Sequence, residues 1–375
     1  MSERRADVLV IGGGIVGTSA ALHLRKLGLS AILLERDRIG QRASGVNFGG
    51  VRQQGRALRE LPLSRRARGL WGDLSGLIGI DGEFTVGGHL RLGRSEADMA
   101  LIEQHCRDVT AFGLNFELLG RNAIMARFPW LGPSVQGGSF SAEDGQANPR
   151  LVSPAFGEAA RRAGAEIIEG VEILRGEKDE SGFTLAAADG SEFKAPRLFN
   201  CAGTWAGKVA AWFGEEVLIK PETPQVLVTE PMPFRIEPVL GVVGGDLYLR
   251  QIARGNVIFG GGEGMISPDW LRSRPKPGVA HTACQTAAAI VPHLRNAPII
   301  RIWTGVDGDT PDGSPVVGPS TRHSGLFHAF GFCGHGFQLG PAAGAVLAEL
   351  AAAGRSDTDI SGLGIERFLE KPQSA

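Results

Sequence analysis

The 375-residue chain has one tyrosine, four cysteines and almost no net charge, and each shortage removes a class of function. A formal charge of −1 sets up no long-range field, so nucleic acid and anionic membrane surfaces are not expected partners. Cys106, Cys201, Cys284 and Cys333 are scattered without CxxC spacing. Neither a disulfide framework nor a zinc site is indicated, and a reducing cytoplasm is the expected setting. The eight histidines form no H-E-x-x-H or facing pair, so no metal is expected. Long apolar runs are also missing: the opening "MSERRADVLVIGGG" dissolves into glycines well short of a membrane span, and is read as carrying no targeting segment. No internal repeat is visible. What remains is a chain that is 43% hydrophobic and too long for one core, which predicts two domains.

The opening "DVLVIGGGIVGTSAALHLRKLGLSAILLER" carries the strongest local pattern. Val8 to Ile11 reads as a buried strand, Gly12, Gly14 and Gly17 satisfy G-x-G-x-x-G, and the next segment has helical apolar spacing closed by Gly28. A second buried strand then ends at Glu35 and Arg36. Gly12 supplies the tight turn, while Gly14, Ile15 and Val16 bring backbone N–H groups and the positive helix end to a pyrophosphate. Gly17 allows close helix–strand packing, and Glu35 is placed to bond a ribose diol. This is a dinucleotide site, and by itself the motif fits NAD or FAD.

The next stretch, "ASGVNFGGVRQQG" (residues 43–55), offers small residues and bare backbone where a nicotinamide enzyme would continue with further βα units. Here the sequence resembles the D-amino-acid oxidase family of flavoproteins, the group that includes glycine oxidase, sarcosine oxidase and the catalytic subunits of opine oxidases. The resemblance spans nearly the whole chain. It implies non-covalent FAD, with Ala43, Ser44, Asn47, Phe48, Gly49 and Gly50 running along the flavin ring. A strand through Val171 would meet the adenine, and the turn Cys201-Ala202-Gly203 with Trp205 would lie beside the cofactor. Gly305 follows in the Trp-x-Gly turn, and the bend from Gly331 through Gly334, His335, Gly336, Phe337 and Gln338 would place a helix N-terminus against developing negative charge on the flavin.

The resemblance also implies an α/β, Rossmann-like FAD-binding domain (1–84, 146–220 and 301–375) interleaved with a mixed-sheet α+β substrate domain (85–145 and 221–300). Within the latter, "DLYLRQIARGNVIFGGG" reads as two strands paired around the turn "ARGN". Tyr248 and Arg250, two apart on a strand, point to one face and could grip a substrate carboxylate, although Arg250 could equally be a surface arginine. Arg52 and His335 are the other catalytic candidates, each able to place a cation beside the ring if protonated; His335 could equally be structural.

Two positions depart from the family pattern. Asp307 stands where glycine oxidase has its carboxylate-gripping arginine, which favours a cationic group or secondary amine. Ile258 stands at the oxygen-activating lysine of sarcosine oxidase, which favours a dehydrogenase. The resulting expectation is an FAD-dependent oxidation of the C–N bond of an amino acid or N-substituted amino acid. Its electrons would pass to oxygen, a quinone or a partner chain, at the cytoplasmic side of a membrane if the acceptor lies there. Oxidation of a 2-hydroxy acid or polyol, and a flavin-binding subunit with no activity of its own, are the alternatives.

Overall fold

The computed structural model describes residues 4–233 and 235–369, so the ends of the expected cofactor segments (1–3 and 370–375) and residue 234 of the substrate segment lie outside the described residues. Val8–Ile11 lies between Arg197–Asn200 and Ala31–Glu35, parallel to both. The six-stranded sheet runs in the order Val316–Pro319, Leu326–Phe330, Arg197–Asn200, Val8–Ile11, Ala31–Glu35, Glu166–Glu169, and only its first pair is antiparallel. Parallel strands are covered on both faces, which is why the apolar runs are continuous. Val8 and Val10 point to one face, under the helices Ile15–Lys26 and Gly336–Ala353. Leu9 and Ile11 point to the other, where Phe183, Leu185 and Phe193 pack on them.

Those three residues belong to a four-stranded sheet formed by Arg4–Arg5, Glu192–Ala195, Gly182–Ala187 and Ile173–Asp179, which the sequence reading did not anticipate. One strand was expected to run through Val171. Instead the chain forms Glu166–Glu169, turns at Gly170 (φ +75°) and begins again at Ile173. The glycine's left-handed backbone ends the first strand, and Val171 lies in the turn with its N–H donated to the Glu35 carbonyl at 3.0 Å.

The second large sheet has eight strands, in the order Ile299–Thr304, Pro224–Pro231, Asn256–Glu263, Tyr248–Gln251, Val239–Val242, His89–Gly93, Gly137–Ser141, Glu117–Gly120. All neighbours are antiparallel except Val239–Val242 with His89–Gly93. The hairpin around residues 252–255 is present as read from the sequence. Helix Pro277–Ile290 covers one face through Ala280, Ala283, Ala287 and Ile290. The sheet reaches past residue 300, since Ile299–Thr304 is its edge strand. The architecture is the expected α/β cofactor fold interleaved with a mixed sheet. No helix among the described residues is long and apolar enough to cross a membrane.

One buried polar contact ties the core of the first sheet to the loop after residue 213. His328 and Glu215 are both fully buried, with Nε2 of the imidazole 2.9 Å from Oε2. Thr321 donates its N–H and hydroxyl to Oε1 at 2.7 and 2.8 Å. Burial pushes the Glu215 carboxyl up, but the bonds from His328, Ser320 and Thr321 outweigh it and hold it at about 2. A carboxylate whose folded pKa is depressed contributes stability above its unfolded value of about 4.3, and that contribution is lost as pH falls towards the folded value. Glu215→Ala is therefore expected to cost about 3–5 kcal/mol at pH 7, measured by chemical denaturation, with a smaller difference from the parent below about pH 4.

Candidate active site

The two sheets meet over a cavity of about 600 Å³. At its first end the chain leaves Val8–Ile11 through Gly12, whose φ is +109° and where a Cβ would lie 2.3 Å from the Cys201 carbonyl oxygen. Only glycine allows both the backbone and the approach. Gly17 lies outside the cavity and packs beneath it, its Cβ position 2.0 Å from the Gly12 oxygen, as its motif role requires. Glu35 is buried; its Oε2 accepts the Gly13 N–H at 2.6 Å and its Oε1 the Asp37 N–H at 2.7 Å. Burial raises its carboxyl even so. Beside it the Arg36 guanidinium stacks 4.2 Å over Trp205, its buried Nε 3.6 Å from Asp37 Oδ2 and without a hydrogen bond.

The wall continues through residues 43–50. Ala43–Val46 form a short helical turn rather than an extended run. Ser44 Oγ accepts the Ile15 N–H at 3.0 Å, which ties this wall to the helix N-terminus. Asn47 is spent on its own loop: Nδ2 donates to the Ala43 and Ser44 carbonyls, and Oδ1 accepts from Gly49. It shapes the wall, and Phe48, Gly49 and Gly50 present the surface. Cys201, Ala202 and Gly203 also line the cavity, the first two against Gly12, and Gly305 lines it beside Val46, 2.5 Å from whose Cγ2 a Cβ there would lie. Burial pushes the Cys201 thiol far above its ordinary range.

The glycine bend closes the third side. Gly331, Cys333 and Gly334 all have positive φ, and Asp307 Oδ2 accepts the Gly334 N–H at 2.9 Å. Gly336 and Phe337 begin the last helix. His335 lines the cavity with Nδ1 2.8 Å from Glu60 Oε2. Burial, with Arg56 and Arg52 nearby, pushes its imidazole down to about 4 despite Glu60. That shift favours the neutral ring over the protonated one considered for it from the sequence.

Of the residues singled out from the sequence, most line this cavity, including Tyr248 and Arg52. Two others require correction. Gln338 is 1% exposed and turned away from the cavity into the interior, where Nε2 donates to the Ser64 carbonyl at 2.9 Å and Oε1 accepts from the Ser64 hydroxyl at 3.1 Å. Tyr248 and Arg250 share a strand face as expected but not a cavity. The Phe48 ring stands between them, its centroid 4.8 Å from the Tyr248 ring and 5.5 Å from the Arg250 Cζ. Arg250 is buried against Gln146 Oε1 and the Ala147 carbonyl at 3.0 and 3.1 Å, and lines a separate cavity of about 190 Å³ with Ile258, its cross-strand neighbour.

The sequence reading missed Arg56, His89 and Arg91, which line the far end with Arg52. A usable signal existed: "HLRL" puts His89 and Arg91 on one strand face, and "VRQQGR" repeats an arginine within one short loop.

The residues present suit FAD. A glycine turn and helix N-terminus for a pyrophosphate, the buried Glu35 at the end of the next strand with Trp205 beside it, and a long wall of bare backbone form one continuous surface. A comparison with known proteins agrees. The chain is 27% identical to a subunit of the opine oxidase of Rhizobium meliloti over 96% of this chain and 97% of that protein. It is 26% identical to glycine oxidase of Bacillus licheniformis over 93% of each. The crystal structure of L-proline dehydrogenase from P. horikoshii superposes with a TM-score of 0.90 at 26% identity, covering 98% of both chains. Residues 7–350 match the family model described as DAO, FAD dependent oxidoreductase, and the chain belongs to that family.

Proposed function

We propose that this FAD-dependent oxidoreductase takes hydride from the carbon next to nitrogen in a small amino acid or N-substituted amino acid, and passes the electrons to an acceptor other than oxygen. The product imine hydrolyses in water. The observation that carries the choice of an amine is Asp307. Glu35 and Glu172 belong to the nucleotide end of the cavity, whereas Asp307 lies between Gly305 and the glycine bend. Burial raises its carboxyl, and Glu222 adds to the rise. A carboxylate there attracts a protonated nitrogen and can accept a charge-assisted hydrogen bond from it, which orients the carbon next to nitrogen for hydride loss.

Bound flavin supplies the hydride acceptor. The protein's part is mostly placement. Tyr248 donates its hydroxyl to the Gln225 carbonyl at 3.2 Å, and burial raises the phenol, so it stays protonated and acts as a wall rather than a base. The reading as a dehydrogenase is supported by the position of the lining lysine Lys208, which follows Trp205 at the nucleotide end; Ile258, expected at the place of an oxygen-activating lysine, lines the separate cavity with Arg250 and lends it no support. The opine oxidase relative is named as one subunit of an enzyme, which supports a partner chain as the route for electrons at a cytoplasmic site.

An anaerobic screen tests the substrate class: amino acids and N-substituted amino acids are expected to bleach the flavin spectrum. Bleaching by 2-hydroxy acids or polyols alone, or by nothing, overturns the proposal. The flavin is expected in the supernatant after acid precipitation, since residues 303–313 hold no cysteine or histidine for a tether.

Asp307→Asn is expected to lower kcat/KM for the amine roughly 10- to 100-fold, the worth of a charge-assisted hydrogen bond, with the loss smallest at high pH where the free amine predominates. In stopped flow, the reduced protein is expected to reoxidise slowly in air and rapidly with an artificial dye. Fast reoxidation by air would refute the dehydrogenase reading and leave the amine reading intact.

A further inference from the structure

Gly241 stands inside the strand Val239–Val242, and nothing in the chain around it requires a glycine. It pairs with Arg91 on one side and Tyr248 on the other, and neither pairing contains a bulge. Its φ lies outside the left-handed region, and a Cβ added there would meet only the His89 ring, 3.3 Å from Nε2 and 3.6 Å from Cε1. Glycine weakens a strand, and it is kept inside one where the chain bulges, where another backbone crosses or where a ligand comes close. The first two are absent at Gly241.

Gly260, in the same cross-strand row, gives the contrast. The row runs Arg91, Gly241, Tyr248, Gly260. A Cβ at Gly260 would lie 2.4 Å from both the Gln225 carbonyl oxygen and the Tyr248 hydroxyl oxygen, so Gly260 makes room for the tyrosine. No atom of Arg91 or Tyr248 comes within 4 Å of the Cβ position of Gly241. Cross-strand partners share a face, so the space over Gly241 opens between these two side chains, with the pair His89 and Val239 beside them, and all line the cavity. Leu240 and Val242 turn the other way, into the core under helix Pro277–Ile290. His89 is a second sign of a ligand: it is 4% exposed, and its Nδ1 has no hydrogen-bond partner. Burial, with Arg52 and Arg91, pushes its imidazole well below the ordinary range, which favours the neutral ring.

We infer that the open floor at Gly241 receives a bulky, mainly apolar group of the substrate, so that the substrates of this protein are larger than glycine or sarcosine. The Tyr248 ring, the Val239 side chain and the faces of the His89 ring supply apolar walls, and the His89 Nδ1 can meet one polar atom. Bare backbone lets a branched or flat group lie where any side chain would displace it. The group is carried by the α-carbon or by the nitrogen, and the experiment separates the two. This assignment rests on the amine-oxidation reading only in taking the ligand to be an amino acid.

Binding can be measured without turnover, with amino acids whose α-carbon carries a methyl group in place of the hydrogen and has no hydride to give. The flavin-loaded protein is titrated with 2-aminoisobutyrate and with racemic α-methylphenylalanine, and the shift of the flavin spectrum gives each Kd. The larger probe is expected to bind roughly 10-fold more tightly or better. Gly241→Val should weaken the larger probe roughly 10- to 100-fold and the smaller one less than about 3-fold. Gly241→Ala should give a smaller loss of the same kind, and it decides the matter if Gly241→Val fails to hold flavin. A strand gains from losing a glycine, so Tm is expected to hold or rise in Gly241→Ala, whereas Gly260→Ala should lower it. A fall in Tm for Gly241→Ala with equal weakening of both probes marks a glycine kept for folding and overturns the assignment. Unchanged binding of the larger probe in both variants overturns it as well. Under anaerobic bleaching, phenylalanine against N-benzylglycine shows whether the group sits on carbon or on nitrogen. If glycine and sarcosine bleach the flavin faster than both, this assignment fails while amine oxidation stands. If no amine bleaches it but Gly241→Val still separates the two probes, the pocket stands and the amine reading fails.

Discussion

The close packing of the first and last helices holds the rest of the structure in place. Gly344 lets the backbone of Gly336–Ala353 approach so closely that a Cβ there would lie 2.5 Å from the Ala20 nitrogen and 2.7 Å from the Val16 oxygen. Gly340 does the same against Ile15, and Ser19 donates its hydroxyl to the Pro341 carbonyl at 2.8 Å. Both helices begin at the cavity, one after the Gly12 turn and one after the Gly331–Gly334 bend. Their axes fix the distance between two N-termini that come from opposite ends of the chain. A larger side chain at this crossing would move one cofactor wall against the other.

What the sequence made legible was the part governed by local rules. A glycine turn, a helix start and an acid at the end of the next strand must occur in order within about 30 residues, so the pattern can be read in one dimension. The strand hairpin at 252–255 was legible for the same reason. The four-stranded sheet over Leu9 and Ile11 was not, because it pairs residues 4–5 with 193–194, and nothing local links them. Arg250 and Gln338 show a second limit. Periodicity gives the face of an element correctly, but which neighbour occupies that face is a tertiary fact. Phe48 divides one strand face into two environments, and Ser64 draws Gln338 inward.

The charges of the cavity are arranged by the same tertiary logic. Arg52 and Arg56 arrive on the loop after the flavin wall, and His89 and Arg91 on a strand of the other sheet. Neither segment alone would be read as an anion site. Together they gather three guanidiniums in one region, where burial and the neighbouring Arg52 lower the Arg56 guanidinium well below its ordinary range. Asp307, by contrast, is held by two backbone N–H groups and keeps a fixed orientation at the glycine bend.

The central sheet also has a consequence in time. Val8–Ile11 acquires its neighbour Arg197–Asn200 only after nearly two hundred residues have followed it, and the Leu326–Phe330 strand completes the row later still. During synthesis, the glycine turn at the amino end leaves the ribosome long before the bend that faces it. The nascent chain thus carries half a nucleotide cradle until the Gly331–Gly334 bend has been made, and flavin capture waits on that segment.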